Sequence, residues 1–424
     1  MDEMEIEGME KKAKVPKLRF PGFTGEWEER KLGEVAEFSK GNGYSKDDLV
    51  DFGMPIILYG RMYTKYQIQI NDVDTFVNET KNSVYSTGLE VIVPASGETA
   101  EDIAIASAVM KPGIILGGDI NIIYPISRLN SVFLALQISG GKAKREMSKR
   151  AQGKSIVHLH NADLREVAIS IPEIVEQEKI SRFFYSIDKL IMLQQCKLAH
   201  LQAKKKCLLQ KMFPKKGERF PELRFPGFTG EWEQRKLGEL MNVTSVKRIH
   251  QSDWTSTGVR FFRARDIVSE SKGEKPEDIL YISTKKYDEY SALSGKVKVG
   301  DLLVTGVGTI GVPMLIKSEN PIYFKDGNII WFQSANKIDG FFFYYTFISE
   351  SVQRFIKDSA GIGTVGTYTI DSGKRTPIIM PSSVDEQQKI GEFFKSMDNL
   401  INLHQRKLIH LQTQKKALLQ QMFV

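Results

Sequence analysis

The sequence predicts an α+β protein in which two α/β domains are joined by two long antiparallel helices that form a coiled coil, with pseudo-twofold symmetry overall. Three observations carry this reading. An opening block occurs twice, a heptad-spaced closing block occurs twice, and the two segments between them mix strand and helix patterns while resembling each other only faintly.

The opening block Leu18-Arg19-Phe20-Pro21-Gly22-Phe23-Thr24-Gly25-Glu26-Trp27-Glu28 recurs as Leu223-Arg224-Phe225-Pro226-Gly227-Phe228-Thr229-Gly230-Glu231-Trp232-Glu233. Each copy is followed by Arg-Lys-Leu-Gly-Glu, at Arg30 to Glu34 and at Arg235 to Glu239. An identity of this length, holding two phenylalanines, a proline and a tryptophan, is a duplication. The flanks are constant and the centres, roughly 39–171 and 244–380, are not. Uniform drift would have eroded both, so the flanks share a structural duty and the centres perform different versions of one task.

The closing blocks begin Glu-Gln-Glu-Lys-Ile at Glu176 and Glu-Gln-Gln-Lys-Ile at Glu386, and both run to a Met-Phe, at Met212-Phe213 and Met422-Phe423. Mostly apolar residues step by four and three through Ile180, Phe184, Ile187, Ile191, Gln194, Leu198, Leu201, Lys205, Leu208 and Met212, and through Ile390, Phe394, Met397, Ile401, His404, Leu408, Leu411, Lys415, Leu418 and Met422. Such a/d spacing over more than four heptads predicts two long helices packed as a coiled coil. Pro172 precedes the first, and Ser383 with Glu386 has the pattern of a capping box at the second. A twofold closure makes the helices antiparallel and brings the N-terminal block near the C-terminus. Polar residues interrupt both seams at matching places: Gln194 and His404, Lys205 and Lys415. Full overlap sets Lys205 near Asp398 and Lys415 near Asp188 as paired register locks; the alternative is that both lysines snorkel to solvent. The resulting organisation is a flexible tail over 1–16, a first domain with its opening block over 17–171, a helix over 172–214, a second domain with its opening block over 215–380, and a second helix over 381–424.

In the first centre, Pro55 to Tyr59, Glu90 to Val93, Ile103 to Val109 and Val167 to Ile171 read as strands; in the second, Gly258 to Arg263, Asp301 to Thr305, Val312 to Ile316 and Asn328 to Phe332 do. Each centre also holds a helical stretch, over Ser131 to Lys149 and Asp339 to Lys357. Gly306-Val307-Gly308-Thr309-Ile310-Gly311 fits GxGxxG, but Val312 to Ile316 continues as a strand rather than opening a helix, so a tight hairpin is expected in place of a dinucleotide site. Lys142, Lys144, Arg145, Lys149, Arg150 and Lys154 stand against the single acid Glu146. They suit the phosphates of a duplex, or else form a solvated helix face. Arg61, Tyr63, Lys65 and Tyr66 lie beside one strand, and Arg263 and Arg265 beside its counterpart. Arginine there suits the guanine edge in the major groove; surface salt bridges are the other reading.

The composition, 41% hydrophobic and 26% charged, is that of a folded soluble protein, and no apolar run approaches the ~20 residues that span a bilayer. The net charge of +7 is compatible with a polyanion without requiring one. Cys196 and Cys207 sit eleven residues apart in a predicted helix, about 16 Å along its axis, too far to bridge, and match no zinc pattern. The mixed-charge start, Met1 to Lys14, has no apolar core of a secretory signal. A reducing cytoplasm is the expected location. The adenine-gripping N-P-P-Y or D-P-P-F run and the P-loop are absent, and His158 with His160 fits a solvent-facing alternation better than a metal site. No catalytic residue and no metal site is assigned.

The duplicated Arg-Phe-Pro-Gly-Phe…Glu-Trp block, the divergent domain and the Pro…Glu-Gln-X-Lys-Ile helix together resemble the specificity subunit of type I restriction-modification enzymes, from about Leu18 to the C-terminus. The resemblance implies two target-recognition domains, each reading one half of an asymmetric bipartite site in double-stranded DNA, and helices that set the gap and dock two modification subunits. S-adenosylmethionine would belong to those subunits, which methylate a flipped adenine at N6, while ATP and magnesium would belong to separate restriction subunits. The chain itself would bind no cofactor, touch no membrane and catalyse nothing. From the residues alone, a single-chain DNA methyltransferase and a coiled-coil adaptor without a DNA role stay open. The acidic stretch Asp2 to Glu10 is expected to project away from any phosphate.

Overall fold

A computed structural model describes residues 15–153, 155–274, 276, 278–334, 337–360 and 366–423. The chain forms two compact units, one built from the residues up to Gln195 together with those from Arg406 onward, the other from Cys196 to Gln405. Each unit therefore takes the first part of one long helix and the last part of the other.

In the first unit, the sheet runs Ala36–Lys40, Ile120–Pro125, Val91–Pro94, Ser107–Val109, Gln69–Ile70, antiparallel except for its last pair. Its central strand, Val-Ile-Val-Pro, is buried throughout, which is why it carries no polar alternation. A four-stranded sheet around Met54–Ile57 sits beside it in the same unit. The helix Ser131–Ile138 is buried from Val132 to Ile138 and is capped by the Asn130 side chain, which accepts from Phe133 N at 3.0 Å. The second unit repeats the plan. Its sheet runs Asn242–Thr244, Ile329–Gln333, Leu302–Thr305, Pro313–Leu315, and Asp339 caps the helix Gly340–Phe347 through Phe342 N at 2.8 Å. Two centres of faint sequence likeness thus share a topology.

Several elements differ from the sequence expectation. Ser131 to Lys149 is two helices, Ser131–Ile138 and Gly141–Arg150. The chain turns at Gly141, whose φ of 59° favours glycine and where a Cβ would meet Phe423 Cβ at 3.0 Å. Asp339 to Lys357 is likewise split, because Ser349 leaves the helical conformation and starts Glu350–Ser359. Ile103 begins no strand: Thr99 accepts from Asp102 N at 3.1 Å and caps a helical turn, Ala100–Ile103, so the strand starts at Ser107. His160 stands at the start of the short helix Asn161–Arg165, while His158 lies on a strand. The glycine-rich segment is a hairpin, with Leu302 opposite Leu315 and left-handed Gly308 and Gly311 in its loop. The tail over 1–14 and Lys154 lie outside the described residues.

The long helices are Ile174–Met212 and Val384–Met422, of 39 residues each, so each is about 58 Å long at 1.5 Å per residue. Within each unit their segments run antiparallel and end in a matched aromatic cluster. In the first unit, Phe423 lies 6.2 Å from Trp27, 5.5 Å from Phe133 and 6.2 Å from Phe184, between ring centroids. In the second, Phe213 lies 6.1 Å from Trp232, 5.7 Å from Phe342 and 6.0 Å from Phe394. Leu18 N donates to Gln421 O at 3.0 Å, as Leu223 N does to Lys211 O at 2.8 Å. The N-terminal block is therefore closed by the C-terminal helix end. Phe423→Ala should cost about 3–5 kcal/mol in the first unit. In hydrogen exchange, protection should fall in Ser131–Ile138 while Gly340–Phe347 keeps its own; equal loss in both would contradict this closure.

Candidate nucleic-acid interface

The repeated blocks meet in a joint that positions each divergent domain against a helix start. Arg19 grips Glu176 with two parallel bonds, Nε to Oε1 and a terminal nitrogen to Oε2, both 2.7 Å, and its other terminal nitrogen donates to Gly25 O at 2.6 Å. Arg224 does the same with Glu386, at 2.6 and 2.7 Å, and with Gly230 O at 2.6 Å. Both carboxylates are about 1% exposed, so their charges have no solvent to fall back on. The next residue of the closing block, Gln177, is fully buried; it accepts from Asn130 N at 2.8 Å and donates to Pro172 O at 2.8 Å. Gln387 accepts from Asp339 N at 3.0 Å and donates to Pro381 O at 2.9 Å. These glutamines tie the long helix to the capped helix of the divergent domain. Lys179 then lies over the Phe20 and Phe23 rings, Lys389 lies over Phe228, and Ile180 and Ile390 enter the cores. Every constant residue of Glu-Gln-X-Lys-Ile thus has a partner that belongs to the joint.

The joint revises one sequence expectation. Ser383 Oγ accepts from Glu386 N at 3.4 Å, but the Glu386 carboxylate does not return to the cap, because Arg224 holds it. The capping box is half formed. Trp232 Nε1 also donates to Glu386 at 3.3 Å, whereas Trp27 Nε1 is buried without a hydrogen-bond partner.

On the divergent domains, Arg61, beside the preceding strand as expected, starts a short helix, Arg61–Thr64. It is 11% exposed and donates to Asp74 Oδ1 at 2.7 Å and Gln67 Oε1 at 3.3 Å. Lys65 binds the same aspartate. Tyr63 donates to Ser96 O at 2.7 Å, and Tyr66 to Ser139 Oγ at 2.8 Å. In the second unit, Arg263 holds Asp266 at 2.9 Å and Asp278 at 3.0 Å, and Arg265 reaches Asp278 at 2.7 Å. Hydrogen bonding by Arg263 keeps the Asp278 carboxyl below the usual carboxylate range. In each domain, then, two cations share one exposed aspartate beyond the end of equivalent strands. Arg61 and Arg263 are held as internal bolts, and Lys65 and Arg265 stand outside them.

The basic run forms the amphipathic helix Gly141–Arg150, with Ala143 and Met147 buried. Lys142 is paired with Glu29 at 3.2 Å, and Arg150 donates to Glu166 O at 3.2 Å. Arg145 and Lys149 are exposed and Lys144 is half-buried. The corresponding helix Glu350–Ser359 balances Arg354 and Lys357 with Glu350 and Asp358, so the excess of positive charge belongs to the first domain alone.

A family model described as the type I restriction modification DNA specificity domain matches the chain twice, over residues 24–203 and 229–413. The chain belongs to the type I restriction-modification specificity subunits. The type I restriction enzyme MjaVIII specificity subunit of Methanocaldococcus jannaschii is 23% identical over 410 residues, covering 93% of this chain and 91% of that protein. A putative type I restriction enzyme specificity subunit of Haemophilus influenzae, S.HindORF215P, is 26% identical over 258 residues, 59% of this chain and 60% of its own length. The crystal structure of the type I S subunit from M. genitalium superposes with a TM-score of 0.62 at 14% identity, covering 97% of this chain and 99% of that one. A chain from a study of complex assembly and conformational transition in the type I system gives 0.54 at 14% identity, covering 93% and 96%. Both structures support the fold.

In this specificity subunit, the seams of the helices carry their lysines as charge pairs. Lys205 Nζ lies 2.5 Å from Asp398 Oδ1 in the second unit, and Lys415 is bonded to Asp188 in the first. Gln194 and His404 are buried on their helices, at 8% and 9% exposure. Asp398 has a further partner, Tyr345, which donates to Oδ2 at 2.6 Å. Burial first, and then the bond to Asp398, raise the pKa of this hydroxyl above the ordinary tyrosine range, so it keeps its proton. Among the described residues, no helix is long and apolar enough to cross a membrane.

Two outcomes are expected. Glu176→Gln should destabilise the first unit by about 3–5 kcal/mol, because a partly buried guanidinium loses its charge partner, and the joint Arg19→Met, Glu176→Leu replacement should recover most of that. Thermal unfolding reads both, and a loss below about 1 kcal/mol would deny the pair its role. Double-mutant cycles should give a stronger coupling for Lys205 with Asp398 than for Lys415 with Asp188, with Tyr345→Phe removing the difference; equal couplings in the unsubstituted chain would show that the tyrosine adds nothing.

Proposed function

We propose that this specificity subunit reads an asymmetric bipartite site in double-stranded DNA, one recognition domain per half-site, and performs no chemistry itself. The observation that carries this reading is the division of labour in the duplicated chain. Identical residues are spent on the joint and nearly identical ones on the helix seams, whereas the domains differ in the residues they display, from the basic helix of the first to the balanced helix of the second. A constant frame around two different surfaces suits one body reading two different half-sites.

In this reading, Lys65, Arg265, Arg145 and Lys149, which are exposed, and Lys144, which has no ion pair among the described residues, meet DNA. Arg61 and Arg263 hold Asp74 and Asp278, the carboxylates that anchor Lys65 and Arg265. Phosphate contacts would set affinity and register, and the groups beyond the strand ends would supply base discrimination of about 1–3 kcal/mol per good bidentate pair. The long helices would act as the ruler between half-sites and dock two modification subunits, which bring S-adenosylmethionine; restriction subunits would bring ATP and magnesium. The paired lysines act as register locks that keep the ruler from slipping.

The test exchanges segment 244–380 for that of another family member and sequences the methylome of cells carrying the complete system. One half-site should change while the other half-site and the gap persist. A change in both half-sites, or methyl transfer by the isolated chain, would overturn the reading.

A further inference from the structure

The first unit has a cleft of about 680 Å³ between its recognition domain and the two long-helix segments packed beneath it. The domain side carries Arg61, Lys65, Gln67 and Asn71, and the helix side carries Lys189 and Gln412, among others. Its charges are unbalanced. Arg61 and Lys65 share the one carboxylate of Asp74, and Lys415 is neutralised by Asp188. Lys189 is exposed on the helix, with no ion pair to an acidic side chain among the described residues. Two positive charges therefore remain over a floor of amides. A second cleft of the same unit, beside the opening block, is lined by Glu26, Glu28, Glu173 and Glu176 against Arg19, Arg30 and Arg128, so the positive excess is particular to the amide-lined one.

Amides beside an exposed lysine and a net positive charge match one chemistry well. Glutamine and asparagine present a donor and an acceptor side by side, the pattern complementary to an adenine edge, and an exposed lysine contacts phosphate as a point charge. We propose that the long helix contributes Lys189 as a direct phosphate contact to the half-site held by the first unit, with Asn71 facing a base edge in the same cleft. The helix is then part of the DNA-binding surface in this unit as well as a spacer. The contact is one-sided, because the position equivalent to Lys189 in the duplicated helix is Asn399. This rests on the DNA-reading role proposed above.

The experiment measures binding of the full chain, assembled with its modification subunit, to its methylome-defined site across a salt series. Lys189→Ala should lower the slope of log affinity against log salt by about one and weaken binding evenly over sequences, Lys189→Arg should restore the slope, and Asn399→Ala should leave it unchanged. An unchanged slope in Lys189→Ala with specific binding intact would overturn the helix contact and leave the DNA-reading role standing. Loss of the modification subunit at an unchanged slope would overturn it too, by assigning the cleft to a protein partner. Absence of specific binding by the unsubstituted complex would sink the DNA-reading role itself.

Discussion

The buried arginine–glutamate pair at each joint is the constraint on which the other features rest. A carboxylate about 1% exposed is tolerable only when its charge and lone pairs are met, and Arg19 and Arg224 meet them with two parallel bonds each. Because the third arm of each guanidinium ends on a backbone carbonyl of the opening loop, the pair fixes that loop against the helix start as well. The adjacent glutamine then fixes the recognition domain against the same helix turn. Three pieces of chain that lie far apart in sequence are thereby set in one geometry, twice.

That geometry explains why the duplication has kept some residues and released others. The tryptophan of each opening block, the capped helix phenylalanine, the phenylalanine at the start of one long helix and the one ending the other close a single aromatic cluster. Changing any one leaves a cavity or a clash, so these positions persist in both copies. The recognition domains answer only to their own cores and to whatever they bind. They keep a topology while their surfaces part: two cations on one aspartate in each, but a basic helix in only one.

Much of this was legible in the sequence because it is written as identity and period. The heptad steps named the helices and set Lys205 against Asp398 and Lys415 against Asp188, since register in a coiled coil is arithmetic. The strands Met54–Ile57, Leu302–Thr305 and Ile329–Gln333 were readable as apolar runs bounded by turn residues. The helix break at Ser349 was hidden, because Ile348, Val352 and Ile356 carry the apolar pattern across it; Gly140-Gly141 marked the other break, and only the fold shows that a side chain at Gly141 would meet Phe423, almost three hundred residues away. The capping-box pattern at Ser383 misled for the same kind of reason: local spacing favoured the cap, and a distant arginine took the carboxylate.

The sequence by itself determined that the chain is two copies of one plan, where each copy begins and ends, and that its helices pair along a heptad seam. These are properties of order along the chain. The tertiary structure decided which charges are committed inside the protein and which remain available. Arg61 and Arg263 read as exposed arginines until Asp74, Asp266 and Asp278 are brought to them, and Lys189 reads as one more helix-surface lysine until the recognition domain is laid beside it. A charged side chain's role depends on the dielectric around it and on the nearest opposite charge, and both are set by chain folding over distances that no local pattern records.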